Sequence, residues 1–348
     1  MAAPCHSALN PSACQHLPEH GPTGMIVTPM TFTLYPDARL ALASDSLAGL
    51  SVGDALGARF LVPGCDRGGL SAGRLPPAPW PWTDDTEMAC CLVALLRGAD
   101  PAREAEALPA GELDRDALAD LFARHHDPYR GYGPGAVVIL RLIREGTPWP
   151  IAAAAAFDGQ GSAGNGAAMR AAPLGAWHAD STARAAAQAA RAAEVTHAHP
   201  DGIAGGVAVA VAAATAAAAR LGGHRPAPGQ LLAAVAVATE PGHVRDGLEL
   251  AGRLAGRTAA EAAHELGCGA RAMAADTVPF ALWVAARHLD DFPAAVTACV
   301  AAGGDMDTTA AIAGGVVAAY TGVATPGGVP AGWLAAREPL PAWFGPVP

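Results

Sequence analysis

Apolar residues along this chain recur at helical spacing and almost never alternate. From Asp37 onward, Leu40, Leu47, Leu50 and Leu56 fall near one helix face. The pattern is expected to break at Gly53-Asp54-Ala55-Leu56-Gly57, and Gly and Pro over 59–81 demand a loop. From Thr83 a helix resumes, with Met88, Cys91, Leu92 and Leu95 at i, i+3, i+4 and i+7. A polar linker over 98–116 precedes helices predicted at 117–125 and 135–144. A short apolar segment, 151–157, leads into a Gly-rich loop at 159–166. Ala-rich helices are expected over 180–196, 202–221 and 228–239. Further helices are expected over 244–255, 258–266, 275–288, 292–302 and 309–320. Strand-like runs and internal repeats are missing. The pattern predicts an all-α chain with one compact domain.

Composition sharpens this picture. Hydrophobic residues make up 51% of the 348 and aromatic residues only 5%, so the core must be built from Ala, Val and Leu at short helix–helix distances. Residues 1–36 scatter prolines among small and polar residues and read as a flexible N-terminal extension; 37–348 read as the domain. The net charge of −10, with no basic stripe, argues against an extended nucleic-acid surface. The longest apolar run, 203–219, is short for a membrane span and reads as a buried helix, so no membrane partner is expected. The seven cysteines form no CxxC pair, and no basic-then-apolar leader opens the chain. The expectation is a reduced, cytoplasmic monomer.

Two short segments carry the candidate chemistry. Trp82-Thr83-Asp84-Asp85-Thr86-Glu87 stands where a loop becomes a helix. Gly303-Gly304-Asp305-Met306-Asp307-Thr308-Thr309 stands in the same way before the last long helix. Asp and Thr are favoured as N-caps, which accounts for one such residue per helix. It does not account for paired acids flanked by hydroxyls at two helix starts. If those starts meet, Asp84, Asp85, Asp305 and Asp307 repel one another unless a cation intervenes. With Thr83 and Thr308 they form an all-oxygen donor set, which suits two Mg²⁺ or Mn²⁺ ions rather than zinc.

Other residues have plainer readings. His197 and His199, two apart, do not share a helix face, and His199 reads as a turn before a helix. His125 and His126 read as a solvated helix end. Cys90 and Cys91 read as core thiols. Tyr132 either edges a cleft or packs. Asp54 either caps or orients the carboxylate cluster.

Five segments in order resemble the ADP-ribosylglycohydrolase family. They are Gly53-Asp54-Ala55-Leu56-Gly57, Thr83-Asp84-Asp85-Thr86, Gly164-Asn165-Gly166-Ala167-Ala168-Met169-Arg170, Thr196-His197-Ala198-His199-Pro200, and Gly303 to Thr308. The resemblance spans about residues 37–335. It implies a compact orthogonal helical bundle with a dinuclear metal cleft. It implies metal ligation by Thr83, Asp84, Asp85, Asp305, Asp307 and Thr308. It also implies a substrate cleft lined by Phe157 near adenine, by Gly161, Ser162, Gly164 and Asn165 near the diphosphate and ribose, and by His197 near the distal ribose. The implied activity is metal-dependent cleavage of the C1″ glycosidic bond, with Asp85 or Asp305 taking a proton from water. The implied substrates are ADP-ribosylated protein, nucleic-acid base or small molecule, and the product is ADP-ribose. The alternative is a non-catalytic module of the same fold that binds ADP-ribose or a nucleotide. The chain departs from the family pattern at three places. Ala58-Arg59-Phe60-Leu61 holds no acid where many relatives have one, Met306 replaces a usual Thr, and Ala163 stands where some members carry an aromatic.

Overall fold

The computed structural model describes residues 33–62, 64–98 and 112–345. Residues 1–32 of the expected extension and 99–111 of the expected linker lie outside the described residues. The elements in chain order are α1 (Pro36–Ala58), α2 (Arg67–Ser71), α3 (Asp84–Leu96), α4 (Arg115–His125), α5 (Pro134–Arg144), α6 (Trp149–Ala155), α7 (Ala172–Trp177) and α8 (Thr182–Glu194). There follow α9 (Pro200–Leu221), α10 (Pro228–Ala238), α11 (His243–Arg253), α12 (Ala259–Leu266), α13 (Ala274–Arg287), α14 (Phe292–Ala302), α15 (Met306–Thr321) and α16 (Ala331–Ala336). Among the described residues there is no strand, only isolated bridges. The all-α expectation holds.

The expected break at Gly53–Gly57 is wrong. α1 runs unbroken to Ala58. The glycines serve close packing, because α1 lies directly against α15. A Cβ on Gly49 would sit 2.2 Å from Ala318 Cβ, and one on Gly53 2.2 Å from the Ala310 carbonyl oxygen. One on Gly57 would sit 2.5 Å from the Met306 carbonyl oxygen. Glycine four residues apart makes a groove on one helix face, and the backbone of α15 fills it. The helical cost of glycine is accepted there because no larger residue fits.

Two helices form the centre. α9 and α15 touch each other, and between them they reach α1, α7, α8, α13 and α14. Most residues of both are buried. α9 is long and apolar enough to cross a membrane, with mean hydropathy 1.8, but 83% of that window is buried within the fold. It is a core helix, as the sequence suggests. The short α2, α7 and α16 are not foreseen, since one or two turns carry too little periodicity to read. Of the apolar segment expected at 151–157, residues 151–155 belong to α6, while Ala156 and Phe157 lie beyond its end.

A C-terminal strap fixes the chain just before α3. Trp80 bridges to Arg337, and Trp82 Nε1 donates to the Pro339 carbonyl at 3.0 Å. Arg130 lies 3.4 Å over the Trp82 ring and pairs with Glu338. The start of α3 is thus set by long-range contacts and not by local propensity alone.

Candidate active site

The starts of α3 and α15 open into one cavity of about 550 Å³. Asp84, Asp85, Asp305, Asp307 and Thr308 line it together with Asn165. The two carboxylate segments therefore meet, although about 220 residues separate them. A second cavity, about 500 Å³ between α4, α5 and α6, contains none of these residues.

Asp54 builds the α3 side. It sits fully buried in α1, opposite the first turn of α3. Its carboxylate accepts from Thr83 N at 2.9 Å, Thr83 Oγ1 at 2.8 Å, Thr86 N at 3.2 Å and Thr86 Oγ1. Burial pushes its carboxyl up to about 6, and those donors pull the other way. Asp54 orients the cluster without lining the cavity. Thr83 is the N-cap of α3 and stands behind the cavity wall, with its hydroxyl committed to Asp54. Glu87 turns to the other side. It accepts from Tyr132 at 2.7 Å and from the Asp127 amide at 3.0 Å, and so pins the 127–132 turn. Tyr132 is therefore a packing residue.

The α15 side is held by backbone geometry. Gly304 has φ +70°, and a Cβ there would strike the Cys268 carbonyl at 2.3 Å. That close approach lets Asp305 N donate to Cys268 O at 3.0 Å. Capping does not explain the acids. Asp305 occupies the N-cap position but makes no side-chain cap bond; its carboxylate accepts from Asn165 Nδ2 at 2.7 Å instead. Asp84, Asp85 and Asp307 lie inside the first turns.

The electrostatics are unfavourable for bare carboxylates. Burial first, then the neighbouring charge of Asp54, raises Asp84 to about 8. Burial, with Asp54 and Asp307 next, raises Asp85 well above its usual range. Burial and Asp305 do the same to Asp307. Asp85 Oδ2 and Asp307 Oδ1 are buried and have no hydrogen-bond partner among the described residues. A buried, unpartnered carboxylate oxygen costs free energy unless a cation or proton meets it. The donor chemistry thus fits hard divalent ions. Among the described residues, no three acidic, His or Cys side chains close into a finished ion cage.

The opposite wall is the 157–166 loop. Phe157 stands exposed at the mouth, with φ +53° and its ring against Gly135. Gly161 has φ +75° and packs against the His199 backbone, where a Cβ would sit 2.6 Å from N. Ser162 Oγ accepts from Gly164 N at 3.2 Å. Asn165 donates to Asp305 and also to Thr277 Oγ1 at 3.1 Å, joining this loop to α15 and α13. His197 is buried and lines the cavity. His199 caps α9, accepting from Asp201 N at 3.1 Å, as the plain reading expects. Cys90 and Cys91 are buried core. His125 and His126 are more packed than a solvated end implies, stacking on Trp343 and edging Tyr132.

Some residues of the site escape sequence reading. Thr277 comes from the first turn of α13, and Arg271 and Met273 from the 267–273 segment before it, which looks like an ordinary loop. Its only hint is Gly267-Cys268-Gly269, where both glycines take positive φ. Arg271 keeps its guanidinium exposed at the rim, paired with Asp276 at 3.2 Å. Asp66, the first acid after Phe60 and Leu61, is exposed and paired with Arg74, away from the cavity. Among the described residues, the acids lining the cavity are the four aspartates.

Fold and cleft together define a class: an all-helical protein whose two buried helix starts present carboxylates to a loop rich in glycine. The family comparison is specific. The ADP-ribosylglycohydrolase model matches residues 36–344, and the chain belongs to that family. It is 31% identical to ADP-ribosylhydrolase ARH3 of Homo sapiens over 288 residues, 74% of each chain. A shorter stretch of 97 residues is 36% identical to ADP-ribosylhydrolase ARH3 of Danio rerio, 27% of this chain and 23% of that protein. A solved structure described as an ADP-ribosylglycohydrolase-related protein complex superposes with TM-score 0.56 at 27% identity, covering 88% of this chain and 96% of that one. Membership makes this chain a hydrolase of the ADP-ribosyl class, with ADP-ribosylated substrates and ADP-ribose as product.

Proposed function

We propose that this protein cleaves the C1″ glycosidic bond of an ADP-ribosylated target with the help of two divalent cations, Mg²⁺ or Mn²⁺. The observation that carries the reading is the pair of buried, unpartnered oxygens, Asp85 Oδ2 and Asp307 Oδ1, on helix starts brought together by the fold. Asp84, Asp85, Asp305, Asp307 and Thr308 would hold the ions, with Thr83 contributing from behind. When bound, such ions supply charge neutralisation and activate water near neutral pH.

The chain's own residues do the rest. The glycines of 159–166 let backbone N–H groups approach a diphosphate closely. Arg271 offers a cation to the same phosphates at the rim. Phe157 offers an exposed ring for the adenine. Asn165 holds Asp305 in one orientation, and Asp85 or Asp305 would take the proton of the attacking water. Five described cysteines are unpaired, in keeping with a reducing cytoplasmic setting.

The test is release of ADP-ribose from arginine-, serine-, base- and small-molecule-linked substrates, with and without Mg²⁺ or Mn²⁺. Metal-dependent release by the native chain, lost in Asp307→Ala with helical circular dichroism unchanged, is the expected result. Full turnover in excess chelator, or wild-type turnover by Asp307→Ala, overturns the metal reading. Tight ADP-ribose binding without release on any substrate points to the binding-module alternative.

A further inference from the structure

Behind the glycine loop lies a buried chain of polar groups. Arg170 is 1% exposed, Thr196 1% and His197 5%. Arg170 Nη2 donates to Thr196 Oγ1 at 2.8 Å and to the Ala192 carbonyl at 3.1 Å. Its Nη1 meets Met88 Sδ at 3.3 Å, and the guanidinium lies 4.4 Å over the Phe122 ring. The cation is therefore fixed. Thr196 Oγ1 in turn lies 2.7 Å from His197 Nδ1.

The direction of each bond follows from donor inventory. A guanidinium can only donate, so Thr196 Oγ1 is an acceptor toward Arg170. Among the described residues the Thr196 hydroxyl has no acceptor other than His197 Nδ1. If the imidazole donated there instead, the buried hydroxyl hydrogen would be left unpaired. Nδ1 therefore accepts, and the ring hydrogen sits on Nε2. The ring lies close against Gly166 and Gly202, where an added Cβ would sit 3.2 Å and 3.0 Å from it. Burial first, and the Arg170 charge second, hold its pKa down to about 3, so the ring stays neutral.

We propose that Arg170 and Thr196 are positioning residues that lock His197 as the neutral Nε2–H tautomer, a permanent donor aimed at a hydroxyl or phosphate oxygen of the ligand beside Gly164 and Gly166. Thr196→His197 sets which nitrogen carries the hydrogen; Arg170→Thr196 sets which way the hydroxyl points. This rests on the ligand reading above only for the identity of the acceptor. The tautomer is a property of the free protein.

Imidazole nitrogen NMR on the full chain tests it, with the His197 signal assigned by its loss in His197→Gln. The wild type is expected to show hydrogen on Nε2 and none on Nδ1, and Thr196→Ser to preserve this. Thr196→Val should move hydrogen toward Nδ1. ADP-ribose affinity should fall about tenfold in Thr196→Val, the loss expected of one hydrogen bond, and stay near wild type in Thr196→Ser. Hydrogen on Nδ1 in the wild type overturns the relay, whatever the variants do. So does a Thr196→Val protein that keeps the wild-type tautomer and affinity. If the wild type binds no ADP-ribose yet shows the Nε2–H tautomer, the ligand reading fails and the relay stands.

Discussion

Substituting Gly57 by Ala puts the packing of α1 on α15 into competition with helix propensity. By propensity alone the change stabilises a helix by roughly 0.5–1 kcal/mol. By packing it cannot fit. The new Cβ would lie 2.5 Å from Met306 O and 2.7 Å from Asp307 Cα, where ordinary contact begins at 3.4 Å. Both neighbours are backbone, so no side chain can rotate away. The start of α15 must retreat by roughly 0.7–0.9 Å, and overpacking of this kind costs about 1–3 kcal/mol. Packing therefore wins, and a net loss of about 1 kcal/mol is expected.

The displaced atom is Asp307 Cα itself, so function should suffer more than stability. A shift near 1 Å at a positioned group can cost about 10²-fold in rate. Thermal unfolding and turnover on the same preparation check both. Gly252 is the control: it lies in α11, and a Cβ there would meet nothing within 4 Å. Gly252→Ala should leave turnover unchanged and raise the midpoint slightly. A Gly57→Ala protein that is more stable than wild type, with full turnover, would refute the packing argument.

Further outcomes follow from the same geometry. Asn165→Ala removes the donor to Asp305 and Thr277 and should lower turnover by about 10–100-fold with the helical signal intact; an unchanged rate would show that Asp305 needs no orienting partner. Asp54→Ala strands the amides and hydroxyls of Thr83 and Thr86, so calorimetric titration should find divalent affinity about 10–100-fold weaker, along with a destabilisation of about 1–3 kcal/mol or more. His178 is buried with its pKa lowered to about 4, by burial first and then by Arg39 and Arg184. The unfolded chain thus binds the extra proton between its ordinary 6.5 and about 4, and stability should fall as pH drops through that window, by at most about 3 kcal/mol. Denaturant melts of wild type and His178→Phe across that range should converge toward acid if this holds; parallel curves would contradict it.

The parts of this protein that were legible in the sequence are those where one short segment states its own constraint. Helical spacing is local, and α9, α13 and α14 fall close to where it puts them. Paired acids at a helix start are local too, and Asp84–Asp85 and Asp305–Asp307 needed only the fold to bring them together. What stayed hidden depends on a partner far along the chain. Gly53 and Gly57 read as a break because glycine in isolation is a helix breaker; only the backbone of α15 shows them as a groove. Asp54 read equally as a cap, and the four donors that settle its role arrive from α3. Thr277 and Arg271 carry no signature at all, since each is an ordinary residue until Asn165 or the cavity rim stands beside it. The same logic separates Thr83 from the acids around it. Its position in the motif marks it as one of the group, but its hydroxyl hydrogen is spent on Asp54. Only its oxygen lone pairs remain for an ion, so Thr83 should contribute to the site mainly through Asp54, as the joint between α1 and α3.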